Sequence, residues 1–392
     1  MKKVQVAEGI HWVGAIDWDI RDFHGYSTHR GTSYNAFLIV DDKVAIIDTV
    51  KAPFFPQMLQ RIKEIIDPNK IDYVISNHVE MDHSGSLPMI LKEACNAQLV
   101  TGAKHGEAGL RKHFGLECPM ITVKEGDEID LGKRKLTFLP TPMLHWPDSM
   151  VTYSPQDEIL FSSDAFGQHL ASSGRFDDEV ESTVIMQEAT KYYANILMPL
   201  GNLIPPVAEK LGNLNIKIIA PDHGVIWRLD PGKIVKAYVD WSSGKTKKKA
   251  LVIYDTMWQS TTKMAEAIGE GLMSKGVEVK MYRLTGSDKS DIVSHVLDSK
   301  AIVMGSPTLN NGMFPSLAEF LCYMKGLKPK GKVGAVFGSY GWSGGATKAM
   351  RQEMEQAGIA MIESDLAVKW IPDQSEITQC YEYGQQIADK IS

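Results

Sequence analysis

The chain has few cysteines and no long run of apolar or basic residues. Its 392 residues include 4 cysteines, Cys95, Cys118, Cys322 and Cys380, which lie far apart and form no C-x-x-C pair. This spacing excludes a fused cysteine-ligated iron centre and predicts reduced, mostly buried thiols. No apolar stretch reaches the roughly 18 residues that a membrane-spanning helix needs. The first residues lack the apolar core of a signal peptide, so we expect a cytoplasmic protein without a membrane segment.

Charge and length narrow the class further. The net charge of −6 and the lack of a long Lys/Arg run argue against nucleic-acid binding. Hydrophobic residues make up 44% of the chain and charged residues 23%, which is typical of globular proteins. The length suits two domains. The small, flexible and charged residues 242–249 predict the boundary, with one domain over 1–245 and the other over 250–392.

Four side chains that can bind metals stand within six residues: His78, Glu80, Asp82 and His83. They follow the apolar residues 71–76, which predict a buried strand. Their spacing predicts an extended or turning backbone, because a helix would scatter them around its circumference. Carboxylates are harder ligands than imidazole, so Glu80 favours iron over zinc. The alternative reading is an ordinary solvated loop.

Three further candidates, His145, Asp164 and His223, follow predicted strands at residues 135–140, 159–163 and 216–220. Strand ends are where sandwich folds place their functional residues. The seven residues comprise four histidines and three carboxylates, which is enough for two metals with a bridging group. Cysteine is absent from the set, which argues against copper or an iron–sulfur cluster.

Strand and helix alternate after residue 250, which predicts a doubly wound parallel sheet. The strand at 250–254 leads into a loop rich in Ser and Thr, and a helix is expected from about Thr262. Such a loop is typical of a phosphate site at a helix N-terminus, although an ordinary helix cap is an alternative. It resembles the flavodoxin phosphate loop, with Gln259 at a position where glycine is often found.

Glycine-rich loops follow two further strands, at residues 301–304 and 333–337. Three such loops at the carboxyl ends of parallel strands predict an FMN site. Tyr340 or Trp342 offers a face for stacking on the flavin ring, with a core position as the alternative for Trp342. The candidate FMN-binding residues are Thr256, Met257, Trp258, Gln259, Ser260, Thr261, Ser306, Pro307, Thr308, Asn310, Asn311, Gly312, Ser339, Tyr340, Gly341, Trp342, Ser343 and Gly344.

Over essentially its whole length the chain resembles the flavodiiron proteins, also called A-type flavoproteins. The resemblance is carried by H-x-E-x-D-H, by Leu-His-Trp-Pro-Asp-Ser-Met around His145, by Asp-Ala-Phe-Gly-Gln from Asp164, and by Asp-His-Gly-Val-Ile-Trp around His223. It implies an α/β protein with two domains. The first is a metallo-β-lactamase-like αββα sandwich and the second a flavodoxin-like doubly wound parallel sheet.

The resemblance also implies roles for individual residues. It assigns His78, Glu80 and His145 to one iron, and Asp82, His83 and His223 to the other, with Asp164 bridging both. For His83, direct ligation and a water in its place both stay open. His24 is expected near the open face of the irons, with Tyr26 beside it, and a surface histidine is the alternative.

The implied activity is the reduction of dioxygen to water, of nitric oxide to nitrous oxide, or of both. The implied cofactors are two non-haem irons and FMN. The family arrangement is a head-to-tail homodimer, with a dimer of dimers as a larger form, and the electron donor is an external carrier such as rubredoxin or, more rarely, a reduced deazaflavin. Two other classes are a zinc hydrolase fused to a flavodoxin domain and a non-enzymatic electron carrier. Glu80 argues against the first, and the seven ligand-type residues argue against the second.

Overall fold

The computed structural model describes residues 4–391, which form two compact units. The N-terminal unit comprises the chain up to Tyr192 together with Asn202–Val239. The C-terminal unit comprises Tyr193–Gly201 and the chain from Asp240 onward. The chain therefore enters the second unit briefly, through one short segment, before it completes the first.

The N-terminal unit contains most of the strands. They are β1 (Val4–Ala7), β2 (Ile10–Trp12), β3 (Ala15–Asp17), β4 (Asp22–Phe23), β5 (Tyr26–Ser27), β6 (Thr32–Tyr34), β7 (Phe37–Ile39), β8 (Val44–Ile47), β9 (Ile71–Ser76), β10 (Gln98–Gly102), β11 (Met120–Val123), β12 (Glu128–Asp130), β13 (Lys135–Pro140), β14 (Met150–Ser154), β15 (Ile159–Ser163) and β16 (Ile218–Pro221). Its helices are α1 (Phe55–Lys63), α2 (Met81–Ser84), α3 (Leu87–Glu93), α4 (His105–Phe114), α5 (Ser182–Tyr192), α6 (Ile204–Gly212) and α7 (Pro231–Ser242), the last of which runs across the boundary.

Two sheets of this unit face each other. Among the described residues, one sheet has the strand order β1-β2-β7-β8-β9-β10-β11 and the other β12-β13-β14-β15-β16. Apolar residues of both sheets, such as Phe37 and Phe161, fill the space between them. A second core packs α1, α3 and α4 against the first sheet, through Met58, Ile90 and Leu110. This is the αββα sandwich that the sequence predicts.

The mostly apolar residues 34–40 predict a single strand, but β6 and β7 are separate for a local reason. The side chain of Asn35 lies between them and donates to the carbonyl oxygens of Pro221 (2.7 Å) and Gly224 (3.1 Å). These hydrogen bonds hold the interruption between the two strands against the loop that carries His223, and so they help to position that histidine.

The C-terminal unit is a parallel α/β layer. Its strands are β17 (Lys247–Tyr254), β18 (Glu278–Arg283), β19 (Ser299–Pro307), β20 (Val333–Tyr340), β21 (Ala360–Met361) and β22 (Leu366–Lys369). Its helices are α8 (Ser260–Ser274), α9 (Lys289–Asp298), α10 (Pro315–Leu327), α11 (Ala346–Gln356) and α12 (Gln374–Lys390), besides a π-helical turn at Tyr193–Leu197.

All strand pairs of this sheet are parallel, in the order β18-β17-β19-β20-β21, with β22 also pairing with β20. Helices α8 and α12 cover one face through residues such as Ile268 and Ile387. Leu251 and Ile253 alternate with Val252 along β17 and are also fully buried, so both faces of the sheet are covered. The predicted doubly wound sheet is confirmed.

Two further expectations concern the burial of the cysteine thiols and the lack of a membrane-spanning helix. All four cysteines are free, but Cys95, Cys118 and Cys322 are exposed and only Cys380 is buried, so the expectation of mostly buried thiols was wrong. Cys322 shows the reason, since it follows the buried Leu321 on α10 but lies about 100° further around the helix, on a face exposed to solvent. Within residues 4–391, no helix combines the length and the apolar character needed to cross a membrane.

Candidate metal centre and cofactor loops

The ligand-rich motif begins directly after β9 and has two parts. His78 and Glu80 lie on extended backbone, whereas Asp82 and His83 lie on the short helix α2. The expectation of an extended or turning segment therefore holds only for the first part. Hydrogen bonds from the Ser84 hydroxyl to the carbonyl oxygens of Val79 (2.7 Å) and Glu80 (2.9 Å) close the helical turn. One turn is short enough to leave all four side chains on the same side.

One group of four side chains gathers around the end of β15. Glu80 Oε2 lies 3.4 Å from His78 Nε2 and 3.3 Å from His145 Nε2. Asp164 Oδ2 lies 3.5 Å from His78 Nε2 and 3.2 Å from His145 Nε2. Two imidazole nitrogens and two carboxylate oxygens thus converge on one small volume.

A second group lies beside the first and shares Asp164. Its other oxygen, Oδ1, lies 3.2 Å from His83 Nε2 and 3.4 Å from His223 Nε2. Asp82 completes this group, with Oδ1 3.4 Å from His83 Nε2 and Oδ2 3.0 Å from His223 Nε2. Each oxygen of Asp164 therefore faces a different group, which is the geometry of a bridging carboxylate.

Six of the converging atoms lack a hydrogen-bond partner among the described residues. In the described part of the chain, the buried His78 Nε2, Glu80 Oε2, His83 Nε2, His223 Nε2 and both carboxylate oxygens of Asp82 make no hydrogen bond. Burying so many unsatisfied polar atoms is costly unless a cation binds them. The nitrogen and oxygen donors, without sulfur, suit two iron ions. The residues present therefore fit a pair of metals.

The outward-facing nitrogens of three histidines each face an acceptor, and those of His78 and His223 form hydrogen bonds. Asp148 accepts from His78 Nδ1 (2.8 Å) and from the backbone N–H of Val79 (2.8 Å). His83 Nδ1 faces Asp222 (3.4 Å), and His223 Nδ1 bonds the Ser33 carbonyl (2.7 Å). Such partners fix the tautomer that presents Nε2 to a metal. Asp148 and Asp222 were not among the predicted site residues, although both lie inside the motifs around His145 and His223.

Two further residues of the site lie outside those motifs. The Tyr192 hydroxyl donates to Asp164 Oδ1 (2.8 Å), so it holds the shared carboxylate from behind. His169 is buried, bonds Thr32 Oγ1 through Nδ1 (2.8 Å), and lies 4.8 Å from the His223 ring between centroids. No local pattern in the sequence marks either residue as part of a site.

The carboxylates of the cluster raise the pKa values of its histidines. Burial opposes protonation of His78, but the hydrogen bond to Asp148 and the nearby carboxylate of Glu80 outweigh it and raise its pKa to about 10. The pKa values of His145 and His223 rise to about 9, since the nearby carboxylates, Asp164 first among them, again outweigh burial. Metal binding requires neutral imidazoles, so metals would displace these protons.

His169 behaves in the opposite way. Burial, together with the neighbouring His223 and His24, lowers its pKa well below the ordinary value. It is therefore a neutral imidazole beside a charged cluster.

His24 lies against the first group. Its Nε2 is 3.1 Å from Glu80 Oε1, its ring stacks on Phe23 at 4.1 Å, and its side chain is only 12% exposed. The surface alternative for His24 is thus excluded by its position. Tyr26 is buried, and its ring lies 5.6 Å from that of His169. The structure brings both predicted residues to the same side of the cluster.

In the C-terminal unit, the first cofactor loop joins β17 to α8. The helix begins at Ser260, two residues earlier than expected. Gln259 has a φ of +67°, the left-handed conformation that favours glycine, so it occupies the glycine position of the loop in shape as well as in sequence. Among the described residues, the buried hydroxyls of Thr256 and Thr262 have no hydrogen-bond partner, and this suits a phosphate.

The other two loops lie beside the first at the carboxyl edge of the sheet. The strands β19 and β20 extend further than predicted, so Ser306, Pro307, Ser339 and Tyr340 are strand residues at that edge. Thr261 and Ser339 join the first and third loops through their hydroxyls (3.1 Å).

The second and third loops are also joined to each other. The backbone N–H of Thr308 donates to the Ser339 carbonyl (2.8 Å), and the Ser343 hydroxyl to Asn311 Oδ1 (2.8 Å). The remaining candidates lie in the same three loops: Met257, Trp258, Asn310, Gly312, Gly341, Trp342 and Gly344. Trp342 is 86% exposed and Trp258 82%, so the core alternative for Trp342 is excluded.

Comparison with known proteins gives the same two-part organisation. Residues 32–224 match the family described as ODP family beta lactamase, and residues 252–384 match flavodoxin. The chain is 48% identical to a nitric oxide reductase of Moorella thermoacetica, over 99% of each chain.

Two solved structures are similar throughout. The rubredoxin oxygen:oxidoreductase of Desulfovibrio gigas has a TM-score of 0.97 and 39% identity, and 100% of this chain and 98% of that chain are covered. A flavodiiron protein of Giardia intestinalis has a TM-score of 0.97 and 37% identity, with 100% and 97% covered. This chain belongs to the flavodiiron protein family of oxidoreductases, whose name states its two cofactors, a flavin and a pair of non-haem irons.

Proposed function

We propose that this protein reduces dioxygen to water, nitric oxide to nitrous oxide, or both, at a diiron site that receives its electrons through FMN. The observation that carries the proposal is the pair of ligand groups that share Asp164, one on each carboxylate oxygen. The names of its relatives, a nitric oxide reductase and a rubredoxin oxygen:oxidoreductase, support the same reaction class.

The residues that would hold each iron follow from the two groups. We assign His78, Glu80 and His145 to one iron and Asp82, His83 and His223 to the other, with Asp164 on both. The Asp222 carboxylate behind His83 resembles the Asp148 carboxylate behind His78, and it supports direct ligation by His83.

When bound, the diferrous pair and the reduced flavin supply two electrons each, which matches the four that convert dioxygen to two waters. The chain's own residues prepare the site for this. The hydrogen bond from Tyr192, together with the histidines of both ligand groups, keeps Asp164 in one orientation, so that each of its oxygens stays directed at its own group. His24, at Glu80, places an imidazole at the edge of the first group, within reach of a small gas molecule. The buried aromatic rings around His169 keep bulk water from this side.

In the C-terminal unit we assign the FMN phosphate to the loop from Thr256 to Thr261 and the flavin ring to the loops at residues 306–312 and 339–344. The unpaired hydroxyls of Thr256 and Thr262 and the N-terminus of α8 supply donors for the phosphate. Trp342 and Tyr340 supply faces for the ring. The domain boundaries proposed are residues 1–245 and 250–392.

The assembly proposed is a head-to-tail homodimer in which the flavin of one subunit faces the irons of the other, and it can pair further into a dimer of dimers. Each unit has an exposed apolar rim that such pairing would cover. In the N-terminal unit, Met81 and Met143 are exposed beside the ligand loops, and in the C-terminal unit Trp258 and Trp342 are exposed beside the cofactor loops. We place the protein in the cytoplasm, with rubredoxin or a similar carrier as donor.

One measurement separates this proposal from its alternatives. Metal analysis with a visible spectrum should show about two irons and one FMN per chain. Zinc with flavin would instead support a hydrolase, and flavin without metal an electron carrier. Steady-state rates with dioxygen and with nitric oxide, from one fixed artificial donor, would then assign the gas.

The dimer is tested by complementation between two inactive subunits. Glu80→Ala with Asp164→Ala should remove iron and keep flavin, and Thr261→Ala with Gly305→Val should do the reverse. Each variant homodimer should be nearly inactive, whereas mixed dimers should regain one working pair. If mixed dimers form and stay inactive, electrons pass within one chain and the head-to-tail assignment is wrong.

A further inference from the structure

Asp255 is a buried carboxylate at the start of the first cofactor loop, and it has several donors. Its Oδ1 accepts from the backbone N–H of Thr256 (2.9 Å) and faces Arg283 Nε (3.4 Å). Its Oδ2 accepts from the backbone N–H (3.2 Å) and the hydroxyl (2.7 Å) of Thr285, and from the Ser316 hydroxyl (2.7 Å). Burial opposes ionisation, but the hydrogen bonds from Thr285 and Ser316 outweigh it and lower the pKa of Asp255.

These donors come from three separate segments of the C-terminal unit. Thr256 belongs to the loop after β17, Thr285 to the turn after β18, and Ser316 to the first turn of α10. The backbone N–H of Asp255 also donates to the Gly305 carbonyl (3.1 Å) on β19. One side chain therefore fixes the first loop against the segments on either side of it at the carboxyl edge of the sheet.

A carboxylate is an unfavourable neighbour for a phosphate, because both are anions. Asp255 is suited to hold the loop rather than to bind the ligand, since all its oxygens are used by protein donors. Arg283, half exposed at the end of β18, brings a positive charge that offsets the carboxylate. The Thr256 hydroxyl next to it has no partner within residues 4–391 and stays free for a ligand.

We propose that Asp255 is the positioning residue of the FMN phosphate site: it holds the loop from Thr256 to Thr261 in its binding shape, with Arg283 offsetting its charge. This rests on the proposed assignment of that loop to the FMN phosphate. It predicts that Asp255 acts on the phosphate end of the cofactor and leaves the flavin ring site unaffected.

The test compares FMN with riboflavin, which has the same ring and no phosphate. Flavin-free full-length protein is titrated with each flavin and binding is followed by quenching of flavin fluorescence. Asp255→Ala should weaken FMN binding by about tenfold or more, because it removes the acceptor that joins the first loop to Thr285 and Ser316, and riboflavin binding by less than about threefold. Asp255→Asn, which keeps the shape and one acceptor oxygen, should lie between Asp255→Ala and the unchanged protein.

Two milder variants and one control complete the experiment. Ser316→Ala and Thr285→Val each remove one donor and should weaken FMN binding a few fold, so the proposal stays testable if Asp255→Ala does not fold. Asp373→Asn is the matched control, since Asp373 caps α12 through the backbone N–H of Glu376 and belongs to no cofactor loop. It should leave the binding of both flavins unchanged.

The outcomes distinguish a failure of the proposed role of Asp255 from a failure of the FMN assignment on which it rests. Equal losses for FMN and riboflavin, or no loss for either, would overturn the role of Asp255 while the unchanged protein still prefers FMN. If the unchanged protein binds both flavins equally well, the loop is not a phosphate site. The proposed FMN assignment then fails, and the role of Asp255 fails with it.

Discussion

Asp148 offers the sharpest test of the metal site, because it contacts one ligand and is not itself a ligand. Its Oδ2 accepts from His78 Nδ1 and from the Val79 backbone N–H, each at 2.8 Å, and both His78 and Asp148 are buried. Hydrogen bonds of this kind to a charged group are each worth about 1.5–3 kcal/mol, against about 0.5–1.5 kcal/mol for neutral pairs. The charge of Asp148 should therefore contribute about 1–1.5 kcal/mol to the orientation and basicity of His78.

These energies convert directly into iron affinities. Asp148→Asn keeps the shape and should weaken Fe²⁺ binding at the first group about five- to tenfold, whereas Asp148→Ala removes the whole bond and should cost about 10–100-fold. The measurement is an anaerobic Fe²⁺ titration of metal-free protein against a competing chelator, which resolves two affinities per chain. FMN content should not change.

A matched pair of variants decides whether the reasoning is right. Asp222→Asn should act on the second group through His83 in the same way. Asp67→Asn is the control, since Asp67 is exposed and accepts a local backbone N–H, from Asn69. If Asp148→Ala leaves both iron affinities unchanged, Asp148 does not support His78 as a ligand. If Asp148→Asn and Asp222→Asn weaken the same single step, the two groups are not separate sites.

Three further predictions follow from the same cluster. Asp164→Ala should abolish stable diiron binding and gas reduction while FMN stays bound; retained gas reduction would contradict the bridging assignment. Tyr192→Phe removes the donor to Asp164 and should keep both irons, measured by metal analysis, but lower turnover several fold. In the metal-free chain the pKa values of His78, His145 and His223, at about 10, 9 and 9, exceed the unfolded value of about 6.5. The stabilisation that these three protonated histidines provide is complete below about pH 6.5 and is lost as the pH rises through 9 to 10. The denaturant midpoint of the metal-free protein, measured with a chelator present, should therefore fall between about pH 6.5 and 10. A constant midpoint would refute this.

The metal ligands were predictable because each is tied to a strand that the sequence shows clearly. His78 follows the apolar residues of β9, and Asp164 follows β15, both of which have the predicted bounds. Strands that stop at one edge of a sandwich bring the residues after them together. Local patterns therefore predicted a convergence of side chains that are up to 145 positions apart, from His78 to His223.

The residues that support the ligands could not be predicted in the same way. Tyr192 reaches Asp164 from α5, and His169 reaches Thr32 from a loop, through contacts that depend on the tertiary packing alone. The spacing of a tyrosine on an amphipathic helix does not show whether its side chain only packs in the core or also donates a hydrogen bond to a metal ligand. The turn of α2 was missed for a related reason, since four residues are too few for a helical period to show.

The position of His83 on α2 bears on whether it can bind iron directly. The sequence left both direct ligation by His83 and a water in its place open, because the adjacent Asp82 is already assigned to the same iron. Adjacent residues on extended backbone would also point in opposite directions. On the turn of α2, however, both side chains can face the same volume, and His83 Nε2 lies 3.4 Å from Asp82 Oδ1 and 3.2 Å from Asp164 Oδ1. Asp222 faces the other ring nitrogen at 3.4 Å, which favours the ring orientation that presents Nε2 to a metal. The short helix thus removes the geometric objection to ligation by His83, and the Asp222→Asn titration measures whether iron uses it.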